Sequence, residues 1–195
     1  MKILLIGASG TIGQFIDREL AERHTVIRIG RNSGDFNVDI SDSASIRRLF
    51  EQVGSFDALV CAAGNVTFAP LADMTEEHHQ LGLKDKLMGQ VNLLLIGREF
   101  ISDGGSFTFT TGVTSHDPIR TGSSASLVNA AVDAFVKAAA IELPRGLRVN
   151  SVSPNVLVEA MPAYAPYFRG FKPVAGAEVA LAYAKSVEGL SLIHI

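Results

Sequence analysis

The segment KILLIGASGTIGQFIDREL, Lys2 to Leu20, constrains the fold more than any other part of this 195-residue chain. The apolar run Ile3 to Ile6 is continuous instead of alternating, which is the pattern of a strand buried on both faces. It leads directly into Gly7, Gly10 and Gly13, spaced three apart, and then into a helical pattern with Ile12, Phe15, Ile16 and Leu20 on one face. A strand, a tight turn and a helix packed back on the strand satisfy both periodicities. A turn without side chains lets backbone N–H groups and the helix N-terminus approach a pyrophosphate. A turn that binds nothing is the plainer alternative.

The alternation continues along the chain. TVIRIGR (25–31), FNVDI (36–40), FDALVCAAG (56–64), GGSFTFTTG (104–112) and LRVNSVSP (147–154) read as five further strands. Between them lie a helix over 41–54, capped by Ser41 or Ser43 and stopped by Gly54, a long helical stretch from Glu76 to Phe100, and an alanine-rich helix from Thr121 to Leu143. Such alternation implies right-handed crossovers and an α/β, Rossmann-type, doubly wound parallel sheet. With no repeat or linker, residues 1–195 read as a single domain.

Composition narrows the function classes. Hydrophobic residues make up 47% and charged residues 19%, as in globular domains. A net charge of -3, with no basic run beyond Arg47-Arg48, argues against nucleic-acid or anionic-membrane partners. The single cysteine, Cys61, excludes an internal disulfide framework and fits a reducing cytoplasm. The N-terminal apolar run is too short for a signal peptide, and no run approaches the roughly 20 apolar residues of a membrane span. A cytoplasmic protein with a small-molecule substrate is expected.

The end of the second strand addresses the cofactor. An acid there would accept the ribose 2′-hydroxyl of NAD, but the chain reads Gly30-Arg31-Asn32-Ser33. Arg31 can fork onto a 2′-phosphate and stack on adenine, and Asn32 and Ser33 add donors, which favours NADP(H). A solvated loop arginine is the alternative. Asp35 is an objection, although it falls well past the strand end.

Together these pieces resemble the short-chain dehydrogenase/reductase family over nearly the whole chain. Gly7, Ser9, Gly10, Thr11, Ile12 and Gly13 correspond to its glycine motif, spaced as in extended and atypical members. Asp39-Ile40 looks like its adenine-holding acid-plus-aliphatic pair, and CAAG, with Ala62, Ala63 and Gly64, like its Asn-Asn-Ala-Gly element. AAAIELPRGLRVNSVSPN is similar to the segment LAxELxxxxIRVNxVxPG, which places Pro154 beside the cofactor and replaces the final glycine with Asn155. The resemblance implies NAD(P)-dependent carbonyl reduction or alcohol oxidation, and a homodimer or homotetramer formed through the long fourth and alanine-rich fifth helices.

The family mechanism uses a tyrosine acid/base, a lysine four residues later that lowers its pKa, a serine on the fifth strand and an asparagine on the fourth helix. Counted back from Glu142, the tyrosine position falls on Ala125 and the lysine position on Asn129. The serine position falls on Thr111 or Gly112, and the asparagine position on Lys86. No tyrosine lies between Gly64 and Met161, so no shift of alignment restores the pair.

What replaces the phenol is open on sequence alone. Lys86, desolvated near the nicotinamide end, is a candidate acid or a holder of an anionic substrate, or else a surface lysine paired with Asp85 or Glu neighbours; Thr111 can offer a hydroxyl, or simply be a strand residue. Ser123, Ser124 and Ser126 read mainly as N-caps, and His116 as a solvated loop residue. His78-His79 lack a third ligand, so no metal site is expected. Residues around 159–175 read as a short substrate lid, with Tyr164, Tyr167, Phe168 and Phe171 around Arg169. The terminal LSLIHI lacks the family's closing motif, so it reads as truncated or non-native. Three functions fit: an NADP(H)-dependent oxidoreductase acting on a small carbonyl or alcohol, with Lys86 and Thr111 catalytic; a non-catalytic NADP(H)-binding sensor; or an enzyme acting on a conjugated bond.

Overall fold

The computed structural model describes residues 1–189, so LSLIHI (190–195) lies outside the described residues. Six strands, β1 (Lys2–Ile6), β2 (Thr25–Gly30), β3 (Phe36–Asn37), β4 (Phe56–Cys61), β5 (Ile101–Thr110) and β6 (Arg148–Val152), form one sheet. All pairings are parallel, in the order β3-β2-β1-β4-β5-β6. The chain order reverses between β1 and β4, and that reversal opens a crevice at the carboxyl ends of the strands.

Helices cover both faces, as a parallel sheet requires. They are α1 (Thr11–Ala21), α2 (Ser43–Val53), α3 (Glu76–Gly82), α4 (Met88–Gly97), α5 (Ser123–Ala140), α6 (Met161–Tyr164) and α7 (Gly176–Val187). Alternation along β1 sends Leu4 and Ile6 to one face, where Phe50, Leu93, Leu94, Val132 and Phe107 complete the core. Ile3 and Leu5 point to the other, against Ile16 and Leu20 of α1 and Val179 and Tyr183 of α7. Each such side chain, fully buried, contributes about 1.5–3 kcal/mol of transfer free energy.

The structure revises several expected boundaries. The cap of α2 is Asp42, whose carboxylate accepts the Ala44 N–H at 2.9 Å; Ser41 and Ser43 do not serve. Gly54 does end that helix, with φ of 71°. The stretch Glu76 to Phe100 is divided by a π turn, Leu83–Leu87, between α3 and α4. Helix α7 was not legible as a helix, because its many alanines mask the apolar stripe. Its Gly176 lies so close to Phe15 of α1 that a Cβ would stand 2.3 Å from Cδ2 of the ring. The buried Tyr183 phenol meets the Thr110 hydroxyl at 2.6 Å, and burial raises its pKa.

The glycine turn rests on backbone contact. Gly7 has φ of 86°, and a Cβ there would lie 2.8 Å from the Ala62 carbonyl carbon. A Cβ on Gly13 would lie 2.0 Å from the Gly7 carbonyl oxygen, whereas one on Gly10 would stand at 3.3 Å. Gly13→Ala is therefore expected to destabilise by about 1–3 kcal/mol as an overpacking change, and Gly10→Ala by clearly less. Urea titrations of the two variants against the parent check this ordering.

Candidate functional site

The crevice holds two regions, one on either side of the glycine turn. The first, about 160 Å³, lies over β1 and β2 and is lined by Gly7, Ser9, Gly30, Arg31, Ile40, Ala63, Gly64, Asn65 and Asp85. The second, about 300 Å³, lies beyond the turn and is lined by Thr11, Ile12, Lys86, Thr111, Gly112, Thr114, Ala125, Asn129 and Pro154, among others. Most of the residues marked by sequence thus line one or other of these two regions.

Between the two regions stands the start of α1. Its N-cap, Gly10, makes no side-chain cap, and its first turn carries no acid. The first N–H groups of a helix have no intrahelical partner, so this end favours an anion. With Gly7 and Gly13 bare of side chains, the cradle fits a pyrophosphate. Gly10, Gly13 and Ala62 build the turn and do not line either region.

At the first region, the Arg31 guanidinium donates from Nη2 to Asp39 Oδ1 at 3.2 Å and to Asp85 Oδ2 at 3.1 Å. Asp85 also accepts the Asn65 backbone N–H at 2.8 Å and its Nδ2 at 3.1 Å. Asp39 accepts from the Ser41 hydroxyl and N–H, and these bonds, more than Arg31, hold its carboxyl below its ordinary pKa. Ser33 reaches the Ser9 hydroxyl at 3.4 Å, but Ser33 and Asn32 are both exposed and, like Asp39, outside the lining. Asp35 turns back onto β2 to accept the Arg28 N–H, which removes the objection it raised.

At the second region, the π turn sets the geometry. The fully buried Gln90 donates to the Lys86 carbonyl at 3.2 Å and to the Thr110 carbonyl at 3.3 Å, and accepts the Thr110 N–H at 3.0 Å. This ties the turn to the end of β5, and π turns are frequent at functional sites. Asp85 and Lys86 then face different parts of the crevice. Asp85 does not pair with Lys86, contrary to the bland expectation for LKDKL. The Lys86 stem packs over Gly64, where a Cβ would stand 2.6 Å from Lys86 Cγ. Desolvation lowers the Lys86 ammonium to about 8, partly offset by the Asp133 carboxylate.

Around Lys86 the polar groups are sparse. The Thr111 hydroxyl donates weakly to the Val152 carbonyl at 3.5 Å. Asn129 donates from Nδ2 to the Thr114 hydroxyl oxygen at 2.9 Å, while its Oδ1 is buried without a partner among the described residues. Having accepted that bond, Thr114 keeps its own proton available in the cleft. The walls are apolar and aromatic: Val66, Phe68, Leu157, Tyr164 and Phe168. Tyr164 meets Phe68 and Phe168 edge-on, with centroids 6.3 and 6.4 Å away.

Other candidates fall outside. Ser123, Ser124 and Ser126 are not caps: Gly122 occupies that place, and all three hydroxyls are buried without partners among the described residues. His116 and Arg169 are exposed, Tyr167 is 47% exposed, and none of the three lines the cleft. His78 closes a capping box with Thr75. Asp85, Asn65 and Thr114 were missed from sequence, because only the folded π turn and the β5 exit loop bring them inward.

A glycine-lined turn at a topological switch point, a helix N-terminus aimed into the crevice and a lined cleft beyond it define a Rossmann-type dinucleotide-binding domain. Residues 12–188 match the family described as Enoyl-(Acyl carrier protein) reductase, and the chain belongs to the short-chain dehydrogenase/reductase family. A Listeria innocua protein, lin1944, is 52% identical with a TM-score of 0.95, over 97% of this chain and 94% of that one. A small-chain dehydrogenase in complex with NADPH is 26% identical with a TM-score of 0.82, over 94% of this chain and 89% of its own. Carbonyl reductase [NADPH] 2 of Sus scrofa is 27% identical over 179 residues, 83% of this chain and 73% of that protein. Against two other curated relatives the chain spans about half of their length, 50% and 48%.

The Thr114–Asn129 pair is open to a direct test. Thr114→Val leaves a buried amide donor unpaired and is expected to cost about 1–3 kcal/mol, whereas Thr114→Ser keeps the acceptor and costs less. Equilibrium denaturation of both variants measures the difference.

Proposed function

We propose that the protein is an NADP(H)-dependent oxidoreductase that transfers a hydride to or from a small carbonyl or alcohol, with its proton-transfer group on the π turn instead of on α5. The observation that carries this reading is Lys86 lining the cleft beside Thr111, Ala125 and Asn129, with its ammonium desolvated to about 8. The family's tyrosine and lysine positions are assigned to Ala125 and Asn129, so a cation is still supplied to the cleft, but from the neighbouring helix.

The cofactor fits the residues present. Gly7, Ser9, Gly10, Thr11, Ile12 and Gly13 would cradle the pyrophosphate, Asp39, Ile40, Ala62, Ala63 and Gly64 would border the adenosine, and Pro154 would flank the nicotinamide end. Arg31 would meet the 2′-phosphate, with Asn32 and Ser33 adding donors from the same loop. The NADPH complex of one relative and the name of the pig carbonyl reductase support this choice. Bound NADPH supplies the hydride. Lys86 gives its proton to the carbonyl oxygen as that oxygen gains charge, and the neutral amine is reprotonated from solvent. Thr114, and more weakly Thr111, hold the carbonyl oxygen toward Lys86. Phe68, Tyr164 and Phe168 exclude water from the reacting atoms. Residues around 159–175 act as the lid, and the exposed Leu95 and Leu127 on α4 and α5 mark the contact of a homodimer or homotetramer.

A specific observation also favours a non-catalytic sensor. Ala125 occupies the acid position, and the Thr111 hydroxyl is turned to the Val152 carbonyl. The two readings separate on Lys86→Met. For an enzyme, kcat for NADPH-dependent carbonyl reduction falls by about 10²–10⁴ with NADPH affinity unchanged. For a sensor, no carbonyl in a broad panel is reduced by either form.

The pH profile gives a second check. The acid is the protonated ammonium, so kcat for reduction is expected to be level below about pH 8 and to fall as pH rises through it. Lys86→Met removes that limb. A parent profile that stays flat to pH 10 overturns the assignment of Lys86.

A further inference from the structure

Among the described residues, Arg31 is held by one nitrogen only. Both of its ion pairs, to Asp39 and to Asp85, use Nη2, and that nitrogen has two protons to give. The donors on Nε and Nη1 remain for a ligand. The two carboxylates are not equivalent anchors. Asp39 is half-exposed and already accepts two bonds from Ser41. Asp85 is 4% exposed and is itself clamped by the backbone N–H and side-chain amide of Asn65, next to the β4 exit loop. A buried carboxylate is screened less than an exposed one, so its hold on the guanidinium is the firmer.

We propose that Asp85 is a positioning residue for cofactor choice: it holds Arg31 over the adenosine region with the free edge of the guanidinium presented to the 2′-phosphate of NADPH. This rests on the NADP(H) reading above and adds to it the residue that makes Arg31 selective. Arginine loses much rotameric freedom when ordered, and Asp85 imposes that loss before the cofactor arrives. Two carboxylates around one arginine have a further consequence. Without Arg31 the region keeps both negative charges, which repel a 2′-phosphate and suit a 2′-hydroxyl.

The test is a double-mutant cycle read as the ratio of Kd values for NADPH and NADH, followed by the fluorescence of the reduced nicotinamide. Asp85→Asn keeps the shape and, through its Oδ1, the bond from the Asn65 backbone N–H, but loses the oxygen that accepts from Arg31 and the Asn65 amide. It is expected to lower the preference for NADPH about tenfold, through NADPH alone, with NADH affinity within about twofold of the parent. Arg31→Ala is expected to abolish or invert the preference, and adding Asp85→Asn to it is expected to lower the NADPH preference no further, moving the ratio back toward NADPH as one repelling charge is lost. A merely structural role for Asp85 would weaken both cofactors together and overturn the proposal. So would an unchanged ratio, or tighter NADPH binding, in Asp85→Asn. If Asp85→Asn does not fold, Arg31→Lys replaces it, since a lysine cannot be gripped by one nitrogen while offering others; a preference retained in Arg31→Lys overturns the proposal. A parent that binds NADH as well as NADPH overturns the cofactor reading itself, which is a different result from any of these.

Discussion

Everything at the open edge of the sheet depends on how closely α1 approaches the end of β1. The Gly13 Cα lies against the Gly7 carbonyl so tightly that a methyl group there would stand 2.0 Å from the oxygen. That approach aims the unpaired N–H groups of α1 into the crevice at the switch point. It also brings the β4 exit, Ala62 to Gly64, against Gly7, and through Gly64 it sets the path of the Lys86 stem. Three missing side chains thereby position both the anion cradle and the cation beyond it.

The second organising device is the π turn between α3 and α4. A regular helix over Glu76 to Phe100 would present its residues at one steady pitch. The extra residue in the turn, locked by Gln90 to β5, lets two successive charged side chains serve different regions. Asp85 turns to Arg31 and Asn65, and Lys86 to the cleft with Thr111 and Asn129. The chemistry of the site is therefore carried by the carboxyl edge of the sheet and one irregular turn.

The glycine spacing, the aliphatic strands and the GRNS exit of β2 were readable because each is a local pattern with one physical meaning. The cap of α2 was misassigned because serine and aspartate cap by the same bond, and only the φ and ψ of Asp42 decide between them. The serines at the start of α5 misled for a related reason: a hydroxyl near a helix start is a cap only if the chain is still extended there. Helix α7 escaped because alanine satisfies several patterns equally well. Thr114 and Asn65 carry no motif and join the site only through the loops that return them to the crevice.

By itself the sequence determined the alternation of buried strands and helices, the bare turn after β1 and the loss of any tyrosine between Gly64 and Met161. These follow from side-chain size and periodicity, which are local. Only the tertiary structure decided that Asp85 belongs to Arg31 instead of to Lys86, and that Lys86 enters the cleft. Ion pairing and desolvation depend on which distant elements come together, and the partners here, 54 residues apart in the chain, meet only once the sheet has formed.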